Sequence, residues 1–138
     1  MFDLRRVPVT ASTNDDAVKA AEAGEAEGLV IWALRQTAGK GRHGRAWESP
    51  EGNLYCSVLL RPKEGTREAG LYSFVAALAL YDTVRQCLPV AEIALKWPND
   101  VLVEGEKIAG IDGEKHYWPW ETGKTSPLAI ARSEPSAK

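Results

Sequence analysis

Apolar and polar positions alternate in short runs along the chain, broken by turn residues and by two helical stretches. Arg5 to Thr10 predicts a short opening strand. Ser12-Thr13-Asn14-Asp15-Asp16 then reads as a helix start, with Ser12 or Thr13 as cap and acids in the first turn to complement the helix dipole. Ala17, Val18, Ala20 and Ala21 give that helix a modest apolar face, and Gly24 ends it. Leu29 to Leu34 is a continuous apolar run, which predicts a buried strand. Gly39 to Arg45 predicts a loop, Ser49-Pro50-Glu51-Gly52 a turn, and Asn53 to Leu60 a further strand. Leu71, Phe74, Val75 and Leu78 fall at i, i+3, i+4 and i+7, so an amphipathic helix is expected to run to about Leu88, where Pro89 stops it. Ile93, Leu95 and Trp97 alternate with Ala94 and Lys96 as a two-faced strand. Val101 to Val103, Glu104-Gly105 and Lys107 to Ile111 read as a hairpin with glycine at the tight turn. Residues 112–138 show neither a helical nor a strand period, and Ala131 to Lys138 reads as a frayed end. No internal repeat is visible. The hairpin makes at least part of the sheet antiparallel, in an α/β (α+β) chain with few helices.

Composition narrows this picture. The 138 residues suit one domain with one real core. Seventeen Lys and Arg against nineteen Asp and Glu leave a formal net charge of −2, which gives no reason to expect nucleic acid or an anionic membrane as partner. Cys56 and Cys87 lie far apart in apolar runs and read as buried thiols in a reducing compartment, with neither a zinc site nor a disulfide framework expected. The N-terminus lacks a signal-peptide core and no apolar run is long enough to span a bilayer, so the cytoplasm is the expected location.

Two features carry candidate chemistry. Gly39-x-Gly41-x-x-Gly44 matches the dinucleotide fingerprint in letters, but Arg45-Ala46-Trp47 and a Ser-Pro turn follow where a helix must begin. A P-loop is excluded because no Gly-Lys is followed by Ser or Thr at the required spacing. What remains is a glycine loop with Lys40, Arg42 and Arg45, which suits an anion or, equally, a solvated surface. Lys96 lies between Leu95 and Trp97, just ahead of the Pro98-Asn99-Asp100 turn. It reads either as a binding residue at a strand end or as a solvent-facing lysine over a core of Ile93, Leu95 and Trp97.

Five blocks of the chain, taken together, resemble the catalytic domain of biotin–protein ligases. They are Ser12-Thr13-Asn14; Gln36 to Trp47; Ser49-Pro50-x-Gly52-Asn53-Leu54-Tyr55; Lys96 to Asp100; and Lys107 to Ile111. They occur in family order over about residues 8 to 111, and five in order are far more specific than any one alone. The resemblance implies a mixed, largely antiparallel β-sheet with helices packed on it, a fold shared with lipoate ligases. It implies a catalytic portion over residues 1–111 and a divergent tail over 112–138, lacking the family's usual C-terminal part.

The implied reaction joins the biotin carboxylate to the α-phosphate of Mg-ATP, giving biotinyl-5′-AMP, and then passes biotin to a lysine of a biotin carboxyl carrier protein. A carboxylate and a triphosphate repel each other, so cations must neutralise both. By resemblance, Arg42 and Lys96 are the catalytic cations, with Lys96 acting at low dielectric. Ser12, Thr13, Asn14, Gln36, Lys40, Gly41 and Tyr55 would bind biotin beside them. Gly39, Lys40, Arg45, Trp47 and Asn99 would hold the adenylate, with Trp47 packing on adenine. Magnesium would arrive with the nucleotide, and no resident metal is implied.

The chain also departs from the family. Lys40 stands where the family usually has arginine, so the bidentate fork is lost and weaker adenylate retention is expected. The family strands expected after Ile111 are not matched. An open pocket and an exposed sheet edge would follow, with weak or absent activity unless pairing with a second copy covers that edge. The chain begins directly at the catalytic pattern, so a DNA-binding repressor role is not expected. Two alternatives remain: a lipoate or octanoate transferase, and a non-catalytic module that holds biotin, adenylate or carrier.

Overall fold

The structure, a computed structural model, describes residues 1–41, 45–61, 66–113 and 126–132. Its strands are β1 (Asp3–Thr10), β2 (Leu29–Lys40), β3 (Ala46–Ser49), β4 (Tyr55–Leu60), β5 (Ile93–Lys96), β6 (Asp100–Val103), β7 (Glu106–Gly113) and β8 (Ser126–Arg132). The two helices are α1 (Thr13–Glu22) and α2 (Thr66–Cys87). The strands form one sheet in the order β1-β2-β4-β8-β7-β6-β5, with β3 attached to β2. Among the described residues only β1 and β2 run parallel, and the other pairings are antiparallel. The mixed, largely antiparallel sheet expected from the sequence is therefore the observed one.

Local chemistry explains most elements. Ser12 caps α1 in an extended conformation, and its hydroxyl accepts from the Asp15 backbone N–H at 3.4 Å. Gly24 leaves the helix at a φ of 81°, a left-handed value that costs glycine little. Glu104 and Gly105 both take positive φ in the tight turn between β6 and β7, as a two-residue hairpin requires.

The register places the two helices on opposite faces of the sheet. Ile111 aligns across β8 with Cys56, while Asp112 aligns with Ser57 and thence Ile31. Cross-strand partners share a face, and successive residues alternate. Ile111 packs on Ala77 of α2, whereas Ile31 and Leu59 pack on Ala17, Ala20 and Ala21 of α1. The small side chains of α1 let its backbone approach the sheet closely, which brings Ser12, Thr13 and Asn14 down onto the strands.

Three expectations need correction. Residues 126–132 are not irregular: they form β8, seated between β4 and β7, so β7 is not an open edge. Pro127 inside that run argues against a central strand, which is why the pattern misleads there. Residues 46–49, for which no strand was expected, form β3 and pair with an extended β2 that runs through the expected loop start to Lys40. Lastly, Leu71, Phe74, Val75 and Leu78 are not buried against the sheet: they are 58%, 39%, 59% and 54% exposed, with Phe74 and Leu78 lining an open cleft beside β5. A second stripe of Ala76, Ala77, Leu80, Tyr81 and Val84 makes that contact instead. An apolar helix surface on both sides leaves periodicity unable to choose between them. Val75→Lys and Leu78→Lys are accordingly expected to change stability by less than about 0.5 kcal/mol, and Ala77→Asp to cost about 3 kcal/mol or more, in urea denaturation.

Candidate active site

The face that carries α1 also carries a connected set of polar side chains. Gln36 Oε1 accepts from the Thr13 backbone N–H at 2.8 Å and from the Thr13 hydroxyl at 3.1 Å. The Thr13 hydroxyl lies 2.9 Å from Ser57 Oγ, and Gln36 Nε2 donates to Ser49 Oγ at 3.0 Å. Ser49 in turn donates to the Trp47 carbonyl. Thr13, Ser49 and Ser57 are buried, so this network joins α1, β2, β3 and β4 in a low-dielectric setting. Asn14 beside it is 4% exposed, and its Oδ1 has no partner among the described residues. A buried acceptor without a donor is costly unless a ligand supplies one.

Gly39 makes the arrangement possible. A Cβ there would lie 2.6 Å from Ser49 Oγ, 2.6 Å from the Trp47 carbonyl oxygen and 3.0 Å from Gln36 Nε2. The absent side chain lets β3 close on β2 across the register shift between Gln36 and Gly39. An open cleft of about 610 Å³ lies against this hairpin, lined by Gln36, Gly39, Trp47 and Ser49 among others.

A second cluster lies on the same sheet face. Lys107 Nζ sits 2.7 Å from Asp100 Oδ1, in an ion pair without hydrogen-bond alignment, and 5.3 Å from the centre of the Trp47 ring. Gly110 lies beneath them: a Cβ there would come within 3.5 Å of both Lys107 and Trp47. The Trp47 indole N–H is buried without a partner among the described residues.

The residues singled out in the sequence fall into distinct places. Thr13, Asn14, Gln36, Gly39 and Trp47 come together as described. Ser12 is buried and caps α1. Lys40 Nζ makes an ion pair with Asp15 Oδ1 at 2.6 Å. The Gly41 N–H donates to the Arg45 carbonyl, and the Arg45 side chain is exposed. Arg42 lies outside the described residues. Tyr55 is 1% exposed and its hydroxyl donates to the Pro50 carbonyl at 2.9 Å, so it fixes the turn after β3. Asn99 donates its side-chain N–H to the Ile111 carbonyl and ties the turn before β6 to β7.

Lys96 is exposed, against the low-dielectric environment expected of it. Leu95 and Trp97, 41% and 78% exposed, do not join the core with Ile93. Four residues of these clusters had no role expected from the sequence: Lys107, Asp100 and Ser49 were quoted only within motifs and turns, and Ser57 only within a strand. Lys107 follows the Glu104-Gly105 turn, where a lysine is an ordinary surface residue; only the hairpin's return past Trp47 distinguishes it.

The cysteines stand apart from this site. Burial, expected of both cysteines, holds only for Cys56, whose thiol it pushes up from about 9 to about 11; Cys87, at the end of α2, is exposed. A thiol reagent at pH 8 is expected to label Cys87 at once and Cys56 only after denaturant is added. The folded chain holds the Cys56 proton more tightly than the unfolded chain. That stabilisation is complete below about pH 9 and is lost as pH rises towards 11, which alkaline denaturation would show.

Residues 5–122 match the Biotin/lipoate A/B protein ligase family. The chain belongs to that family. It is 50% identical over 103 residues to a biotin–[acetyl-CoA-carboxylase] ligase of Paracoccus denitrificans, covering 74% of this chain and 42% of the relative. It is 43% identical over 113 residues to the ligase of that name from Mycobacterium tuberculosis, covering 78% and 42%. In structure it resembles the biotin protein ligase of Aquifex aeolicus in complex with biotin and ATP, with a TM-score of 0.77 and 30% identity, over all of this chain and 55% of that one. The chain thus spans about half the length of the family ligases it matches. Among its described residues, no helix is long and apolar enough to cross a membrane.

Proposed function

We propose that this chain forms the biotin- and adenylate-binding portion of a biotin–protein ligase, acting in the cytoplasm on biotin, ATP and a biotin carboxyl carrier protein. The observation that carries the reading is the buried Thr13–Gln36–Ser49–Ser57 network beside the unpartnered Asn14 Oδ1, at the edge of an open cleft. A cyclic urea offers N–H donors and a carbonyl acceptor. Asn14 Oδ1 would take one N–H, and the hydroxyls, already held by Gln36, would meet the rest without reorganising.

The substrate carboxylate would lie towards Lys40 and Arg42. Trp47 would pack on the adenine, and Lys107, fixed by Asp100, would supply positive charge on the nucleotide side. Lys96 shares that sheet face, because it is the cross-strand partner of Asp100. From that exposed position it would meet the nucleotide's phosphates or the incoming carrier. These groups would lower the repulsion between carboxylate and phosphate and hold the two in line. Magnesium would arrive with the nucleotide, held by its phosphates. A second reading, a module that binds biotin without turnover, is favoured by the exposure of Lys96, one of the two cations expected to act on the carboxylate.

Two measurements on the purified chain test both readings. Biotin binding by calorimetry with pyrophosphate release in the presence of ATP supports the ligase. Binding without release supports the module. Absence of binding overturns both.

A further inference from the structure

Asp15 stands in the first turn of α1, directly after the unpartnered Asn14 and two residues after Thr13. An acid there is ordinarily explained by the helix dipole. Asp16, the other acid of that turn, also accepts from the Thr10 hydroxyl at 2.5 Å and ties α1 to β1. Asp15 reaches a different element. Its Oδ1 lies 2.6 Å from Lys40 Nζ at the very end of β2, where the basic glycine strap begins. The two side chains are 34% and 45% exposed, so the pair sits at the rim of the polar network.

We infer that Asp15 is a positioning residue that holds the Lys40 ammonium at the first turn of α1, beside the Thr13–Gln36–Ser49 network, for the substrate's carboxylate. The inference rests on the biotin-binding reading above. Its physical basis is the difference between lysine and arginine. An arginine fork orients itself against a carboxylate through its fixed plane; a lysine is a point charge on a stem of four rotatable bonds. A lysine at this position therefore needs an outside group to fix its head. An ammonium has three donors, so it can serve Asp15 and a ligand carboxylate together. Fixing one such side chain in advance is expected to change affinity by about three- to ten-fold.

The opposite effect is also physical: Asp15 could compete with the ligand for Lys40. The sign of one measurement separates the two. Biotin and its neutral amide, which lacks the carboxylate, are titrated calorimetrically into the full chain and its Asp15→Asn, Lys40→Met and doubly substituted variants. Positioning requires that D15N weaken biotin about three- to ten-fold, leave the amide unchanged, and have no effect once Lys40 is methionine. Asp15→Glu restores affinity to within about two-fold if the carboxylate alone is needed. Should D15N fail to fold, Asp15→Ser takes its place in every arm. Tighter biotin binding by D15N overturns the inference. So does an equal loss for both ligands or in both Lys40 backgrounds, which marks a merely structural residue. A wild-type chain that binds neither ligand overturns the functional reading, and the role of Asp15 with it.

Discussion

Gly39→Ala is expected to lose biotin binding by about 30-fold or more and to destabilise the fold by about 2 kcal/mol. The new methyl carbon would stand 2.6 Å from a backbone oxygen of β3, the Trp47 carbonyl, and 2.6 Å from Ser49 Oγ. Ser49 can rotate away, but a strand carbonyl cannot move without its neighbours. β3 would have to shift from β2, and Gln36 Nε2, only 3.0 Å from the added atom, would lose its bond to Ser49. Calorimetry and urea denaturation report the two effects separately. Wild-type affinity in the alanine variant would show that the β2–β3 contact does not shape the ligand site. Gly52, by contrast, has open space around it, so any cost of Gly52→Ala comes from its φ of 103° and not from a collision.

Gln36→Leu is expected to cost about 2–4 kcal/mol of stability and about 100-fold in biotin affinity. The leucine fills nearly the same volume but offers nothing to three groups. The Thr13 backbone N–H and the Thr13 hydroxyl lose their shared acceptor, and Ser49 loses a donor. Thr13 and Ser49 are buried, so water cannot replace Gln36 freely. Gln36→Glu is the informative comparison. Its carboxylate still accepts from Thr13, and Ser49 can turn its hydroxyl to donate, so the stability loss should be smaller than with leucine. If leucine and glutamate cost the same, the network is not what holds α1 against β2.

The sequence was legible where a local signal had one physical solution. Ser12 followed by acids could cap a helix and little else, and the helix begins there. Glu104-Gly105 between two short apolar runs required a tight hairpin, and the positive φ values follow. Pro89 lies just beyond the last turn of α2. The glycines and cations of Gln36 to Trp47 suited an anion and a solvated surface equally, and only the family resemblance singled that stretch out as a candidate site.

Elsewhere the chain offered two solutions of similar cost, and tertiary contacts chose. α2 carries apolar residues on two sides, so its spacing described a helix without saying which side meets the sheet; Ala77, Leu80 and Tyr81 decided it by fitting against β5, β6 and β7. The run at 126–132 contains a proline and has weak strand character, yet a slot between β4 and β7 gives each backbone a partner on both sides. Lys96 and Lys107 look alike as letters. Their environments differ because β5 is an edge strand while β7 passes under Trp47. Residue type and spacing thus determined where α1 starts, where α2 stops and where the β6–β7 hairpin turns. Only the packed sheet decided which residues meet, because burial and partner geometry depend on neighbours distant in the chain.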